Sequence, residues 1–269
     1  MQYLLTFTKL INTKQSRCLD APFQKGEKEK GEKGVSHLYL CYTIFMPRTL
    51  RVAVGDMVYH CLNRANARSP IFENDRDYLL FESVLAEGVE KFGMRIIAYC
   101  LMPNHWHLVL YPKHDDELPA FMGWISNTHT KRWHMRNGTT GQGHLYQGRY
   151  KSFVVEKDGH FLILVRYVER NAYRAKLVGK AEQWRWSSLW MREHGTTEWK
   201  QMLIEWPVAM PDDYLTWLNE STNEGEMDSI RQSIKRGRPF GRAVWVQRVS
   251  KRLGLESTLT PRGRPRKGG

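Results

Sequence analysis

The sequence is poor in cysteine, in acid and in long apolar runs. Its four cysteines, Cys18, Cys41, Cys61 and Cys100, form no CxxC pair, which excludes a zinc ribbon. Cys61 and Cys100 fall inside β-rich apolar runs and read as buried free thiols. No run approaches the roughly 18–20 apolar residues a membrane span needs. The opening "MQYLLTFTKLINTK" is too short and too polar for the apolar part of a secretion signal, so a cytoplasmic location is expected. No GxxxxGK[ST] loop occurs, which speaks against ATP-driven chemistry. The shortage of acid is the loudest signal. Asp+Glu number 28 against 41 Lys+Arg, a net charge of +13, and a balance of this size points to an anionic partner, nucleic acid first and acidic membrane second. From residue 229 onward twelve Lys/Arg face a single acid, Glu256, so the C-terminal stretch carries most of the excess.

Residues 1–45 read differently from the rest. "FQKGEKEKGEKG" (23–34) is low-complexity and charged, which predicts a disordered extension and makes Met46 the expected start of the folded chain. Four divisions follow: the extension 1–45, a mixed strand-and-helix domain 46–190, a Trp-rich connecting segment 191–228, and a basic helical tail 229–269. Within the second, "DMVYHCLN" (56–63) alternates as a strand. Asn74 caps a helix over 75–92 that ends at Gly93, with Tyr78, Phe81, Leu85, Val89 and Phe92 on one face. "MRIIAYCL" (94–101) is a second strand. Pro103-Asn104 turns the chain into a third, "HWHLVLYP" (105–112). Asp115 or Asp116 opens a second helix with Leu118, Phe121, Met122, Ile125 and Trp133 inward, closed by Gly138. A loop (138–148) leads to a fourth strand (149–156), and Asp158 caps a third helix running to about 177. The order β-α-β-β-α-β predicts an α+β, ferredoxin-like antiparallel sheet, with an added helix and a basic helical extension. In that extension, helices over 228–237 and 242–253 end at Gly237 and Gly254, before a basic arm "RGRPRKGG". A solvated tail without fixed fold is the competing reading.

The chemistry is concentrated in "MPNHWHLVL" (102–110). On a strand, residues two apart share a face and lie roughly 6–7 Å apart. His105 and His107 therefore project together, with Trp106 on the opposite face beside Leu108 and Leu110. Such a pair is half a metal site, or two histidines on a half-exposed strand. The third helix, "HFLILVRYVERNAYRAKLV" (160–178), carries a core stripe of Phe161, Leu164, Val165, Val168 and Ala172. Tyr167 and Asn171, four apart, share another face with Arg170 and Arg174 beside them. A phenol near cations ionises more readily than free tyrosine, and phenolate is a competent nucleophile. Taken alone, Tyr167 is equally packing and the arginines equally snorkel.

Taken together, "MPNHWHLVL", "GRYKSFVVEKDGHFLILVRYVERNAYRAKLV" and "WRWSS" resemble the single-tyrosine HUH transposases (U is a hydrophobic residue) and, within them, the REP-associated tyrosine transposases. The likeness runs from about Met46 to the C-terminus. It implies Tyr167 as nucleophile, with His105, His107 and Asn171 holding Mg²⁺ or Mn²⁺. It implies cleavage and joining of single-stranded DNA through a 5′-phosphotyrosine, at small palindromic REP hairpins with a flanking guide sequence. A cytoplasmic enzyme working at the nucleoid, compatible with a homodimer, goes with that reading. One departure is visible: Ala172-Tyr173 stands where relatives usually carry Asn-Pro-Val.

Candidate DNA contacts are Arg64 and Arg68 in the loop after the first strand, Arg149 and Lys151 in the basic-aromatic "GRYKSF", Arg170 and Arg174, and Lys235, Arg236, Arg238 and Arg242 in the tail. Three alternatives stay open: a hairpin-binding regulator without catalysis, an HUH replication initiator or relaxase, and a metal-dependent phosphodiesterase that uses water.

Overall fold

The computed structural model describes residues 52–260. The extension 1–45, the Met46 start and the closing basic arm lie outside the described residues.

Strand β1 (Val58–Arg64) leads through a short turn into helix α1 (Asp75–Phe92). Asn74 caps α1 by accepting from the Arg76 N–H, and Asp77 reaches back to the Asn74 N–H. Gly93 ends it in the left-handed conformation, at φ 65°. Strands β2 (Ile96–Met102) and β3 (His105–Leu110) form a hairpin around Pro103-Asn104. Helix α2 (Glu117–Arg136) and strand β4 (Lys151–Val155) complete the unit. The sheet order is β2-β3-β1-β4 with every pairing antiparallel, which is the expected ferredoxin-like arrangement.

The pleat sorts residues between two cores. Trp106, Leu108 and Leu110 face one way, into a cluster with Phe81 and Leu85 of α1 and Phe121 and Ile125 of α2. Gly88 lets these two helices approach: a Cβ there would stand 2.8 Å from a ring carbon of Phe121. On the other face Val58, Ile97, Val109, Phe153 and Val155 pack against the third helix. Each fully buried side chain of this size contributes about 2–3 kcal/mol of apolar burial.

That helix, α3 (Gly159–Glu169), is capped by Asp158 as expected but ends eight residues before position 177. Arg170 (φ −84°, ψ −2°) interrupts it, and a single turn, α4 (Asn171–Arg174), follows before Lys176 reverses the chain at φ 59°. The physical reason is a buried carboxylate. Glu169 accepts from Ser188 Oγ at 2.7 Å and Tyr214 Oη at 2.6 Å, which anchors the end of α3 to later segments.

Those later segments are α5 (Ser188–His194), α6 (Thr197–Lys200) and α7 (Tyr214–Asn219). "WRWSS" seals the outer edge of β2. Leu101 N–H donates to the Trp186 carbonyl, Tyr99 N–H to Ser188 Oγ, and Trp184 Nε1 donates to the Leu101 carbonyl, each at 2.9 Å. The unpaired groups of an edge strand are thereby satisfied.

The basic extension is folded onto the sheet. Helix α8 (Glu224–Arg236) buries Met227 and Ile230 in the same cluster as α3 and ends at Gly237, φ 72°. Phe240 then bridges to Val155. Helix α9 (Ala243–Leu253) buries Val246 and Val249 and ends at Gly254.

Candidate active site

Strand β3 brings His105 and His107 to one face, ring centroids 5.1 Å apart. The register sets Leu62 and Arg64 of β1 opposite them. Helix α3 crosses this face and delivers Tyr167, whose ring centroid lies 5.8 Å from that of His107. Asn171 and Arg174 follow from α4, Arg231 and Ile234 from α8. All of these line one cavity of about 370 Å³. Tyr167, His105, His107 and Asn171, chosen from the sequence, thus share a cavity.

The opposite face of β3 is anchored by Trp106. Its Nε1–H donates to Tyr146 Oη at 2.9 Å, and that hydroxyl lies 2.6 Å from His129 Nδ1. The hydroxyl accepts from the indole and shares a hydrogen bond with the imidazole. Tyr146 sits in the loop that the sequence left without a role.

Each cavity histidine is engaged through Nδ1. Asn104 Oδ1 accepts from His105 Nδ1 at 2.7 Å, and the Asn104 amide donates to the Arg68 carbonyl at 3.0 Å, which settles which end of the amide is oxygen. His105 therefore keeps an unprotonated Nε2. His107 Nδ1 lies 2.8 Å from Nε2 of His60, a buried residue of β1. The His60 ring also packs on Phe153, centroids 4.9 Å apart. His60 was missed in the sequence because it sits alone on its strand; alternation with Leu62 and Arg64 was the only available signal.

Burial keeps these rings neutral. It pushes His60 down to about 3 and His105 to about 4, the latter aided by Arg64 and Arg174. His107 is held well below the ordinary histidine range by burial, then by His60 and His105. Neutral imidazole is the form that ligates a divalent cation, so His105 and His107 fit one. Asn171 is otherwise occupied. Its amide donates to the Tyr167 and Val168 carbonyls at 3.1 and 3.3 Å, and its oxygen accepts from Arg174. A third ligand from Asn171 requires Arg174 to let go.

Among the described residues, Glu156, Asp158 and His160 are also spaced to hold a cation. A guanidinium already fills that role: that of Arg242 donates to Glu156 Oε1 and lies 3.2 Å from Asp158, while the Arg242 backbone N–H donates to Glu156 Oε2.

The arginines divide into two groups. Arg64, Arg174 and Arg231 line the cavity, and the Arg64 Nε is buried without a hydrogen-bond partner. Arg170 does not join the Tyr167 patch expected from helical spacing. Its guanidinium donates to the Glu220 carbonyl and stands 5.0 Å over the Tyr173 ring, because the helix breaks at this residue. Arg242 is likewise committed to its ion pair. Arg68 is exposed beside the β2–β3 turn, and Arg238 lies beside His160 and Phe240. Arg149, Lys151, Lys235 and Arg236 line a second cavity of about 500 Å³ between β4 and the basic extension. Ile234 and its neighbours on α8 separate the two cavities and Ile234 lines both.

Comparison with known proteins adds the following. The family model described as "Transposase IS200 like" matches residues 53–171. No curated protein matches the chain. A REP-associated tyrosine transposase bound to a REP hairpin is similar at 15% identity, covering 66% of this chain and 99% of its own, with a TM-score of 0.47. A putative transposase from Deinococcus radiodurans R1 is similar at 18% identity, covering 48% and 92%, with a TM-score of 0.32. The tRNA(His) guanylyltransferase of Saccharomyces cerevisiae is similar at 12% identity, covering 62% and 86%, with a TM-score of 0.36.

Proposed function

We propose, for a chain whose residues 53–171 match the family model described as "Transposase IS200 like", that it cleaves and rejoins single-stranded DNA at hairpin repeats with Tyr167 as the nucleophile. The observation that carries this reading is the single cavity lined by Tyr167, His105, His107 and the arginines Arg64, Arg174 and Arg231.

The Tyr167 phenol gives up its proton and its Oη attacks the phosphorus of a backbone phosphodiester. The P–O3′ bond breaks, the 3′ oxygen takes a proton, and a 5′-phosphotyrosyl ester forms. Attack by a 3′-OH on that ester reverses the step. The number of phosphoester bonds is conserved, so no nucleotide hydrolysis is required. His105 and His107 would hold Mg²⁺ or Mn²⁺, which when bound supplies Lewis-acid polarisation of the phosphate. Arg64 offers its guanidinium to the non-bridging oxygens, and Arg231 does so in exchange for its exposed ion pair with Asp228. Arg174 has two partners to choose from. A phosphate in the cavity competes with Asn171 for it, and release of Asn171 frees an amide oxygen to complete the ligand set.

The second cavity suggests the course of the strand. Arg149, Lys151, Lys235 and Arg236 flank it, a row of cations that suits a single-stranded phosphate backbone. A strand lying there passes Ile234 into the Tyr167 cavity. By family resemblance the hairpin is a REP palindrome and the strand its flanking guide sequence.

The test is a cleavage assay on end-labelled hairpin DNA with a single-stranded flank, in Mg²⁺ or Mn²⁺, resolved on denaturing gels. A protein–DNA adduct is expected from wild type and from neither Tyr167→Phe nor the His105→Ala/His107→Ala double variant. Cleavage that survives Tyr167→Phe would assign the reaction to water. Tight hairpin binding without an adduct in either metal would assign the chain to the non-catalytic regulators.

A further inference from the structure

His60 has no part in the chemistry above, yet it makes the one hydrogen bond that decides what His107 can do. The His107 Nδ1 and His60 Nε2 atoms are 2.8 Å apart. Two neutral imidazoles in contact share one proton between the facing nitrogens, and the choice has opposite consequences. If His60 donates, His107 Nδ1 is the acceptor and its proton sits on Nε2, which then has no lone pair for a cation. If His107 donates, its Nδ1 carries the proton and Nε2 is left as a ligand atom.

The companion histidine supplies the pattern. Asn104 Oδ1 can only accept, so His105 holds its proton on Nδ1 and presents Nε2. His60 occupies the Nδ1 side of His107 as Asn104 occupies that of His105, so Nε2 is the nitrogen each ring has left for a cation. We infer that His60 is the positioning residue of His107: its Nε2 accepts from His107 Nδ1–H, fixing the tautomer in which His107 Nε2 faces the cavity as a ligand, as Asn104 does for His105.

The surroundings favour a fixed ring in this role. His60 is 1% exposed. It is wedged between Phe153, at 4.9 Å, and Tyr167, at 6.4 Å and edge-on. It is too far back to be a ligand itself. His60, His105 and His107 do not form a mutually close triplet among the described residues, whereas Glu156, Asp158 and His160 do. The role therefore acts on the metal through His107, and it rests on the proposed function of His105 and His107 as metal ligands.

Two measurements test it, the first without metal. Nitrogen-15 NMR of the imidazoles in the metal-free wild-type protein reads which nitrogen carries the proton. His107 is expected protonated on Nδ1 and His60 unprotonated on Nε2; a proton on His107 Nε2 overturns the inference. The second is Mn²⁺ titration followed by electron paramagnetic resonance. His60→Phe keeps the ring volume beside Phe153 and removes the acceptor. His60→Gln returns an acceptor oxygen near the Nε2 position. Mn²⁺ affinity is expected to fall roughly 10–100-fold in His60→Phe and to recover to within about threefold of wild type in His60→Gln. Equal affinity in His60→Phe and wild type overturns the inference, as does equal weakening in both variants, which would make the ring merely structural. Absence of Mn²⁺ binding in wild type, with the His107 tautomer as expected, would instead remove the metal role of His105 and His107 and leave the His60 contact as the finding.

Discussion

Arg174 stands over Tyr167, its guanidinium carbon 4.3 Å from the ring centroid, while the same guanidinium holds the Asn171 amide oxygen. One cation thus touches both the proposed nucleophile and the proposed third ligand. Arg174→Ala is expected to slow adduct formation by roughly 10²-fold at saturating DNA, with a much smaller change in hairpin affinity. Single-turnover gels beside a binding titration separate the two. An equal loss in both would make Arg174 an ordinary backbone contact.

Acid should destabilise the fold. Burial puts His60 at about 3 and His105 at about 4 in the folded chain, and His129 at about 3. In the unfolded chain each returns to roughly 6.5. Between those values the unfolded chain binds more protons, so stability is complete above about pH 6.5 and is lost as pH falls towards 4. Each proton steepens the loss by up to about 1.4 kcal/mol per pH unit. Urea midpoints from pH 8 to pH 4.5 check this. His129→Phe should flatten the profile without touching the cavity.

Tyr146 holds two buried groups at once, Trp106 and His129. Tyr146→Phe should cost about 1–3 kcal/mol, the usual penalty for leaving buried polar groups without partners. Urea unfolding with an unchanged slope would locate the loss in the folded state. Cys61→Ser, elsewhere on the sheet, serves as a control for general core sensitivity.

The basic residues of β4 and of the tail should behave in two classes. Lys151→Ala and Lys235→Ala are each expected to weaken DNA binding and to lower the salt dependence, log K against log salt, by about one unit. Arg242→Ala should leave that slope unchanged and lower stability instead, because it strips the guanidinium from Glu156, which is buried, and leaves it only the backbone N–H. Binding titrations at several salt concentrations distinguish a phosphate contact from an internal ion pair.

Much of this was legible in the sequence because strands and helices write their own periodicities. Alternation around His105 and His107 set the histidine face against the Trp106 face, and Asn74, Gly93, Asp158, Gly237 and Gly254 marked ends that the fold respects. Contacts made at a distance left no local trace. The break at Arg170 comes from Glu169 reaching Ser188 and Tyr214, 19 and 45 positions away. The His60–His107 contact crosses 47 positions between strands. Arg231 was passed over among many basic residues, since nothing in its own neighbourhood says that α8 crosses the cavity. Arg170 and Arg242 were counted as free charges for the converse reason: their partners lie 50 and 86 positions off.

The seal along β2 has a consequence for how copies of this chain meet. Trp184, Trp186 and Ser188 occupy the hydrogen-bonding groups that a neighbouring strand would need. A second copy has no rung to grasp there unless it first peels this segment away. With those groups taken, the side of the sheet farthest from β4 offers no open edge for zipping into a fibre, and strand pairing between copies must find another surface.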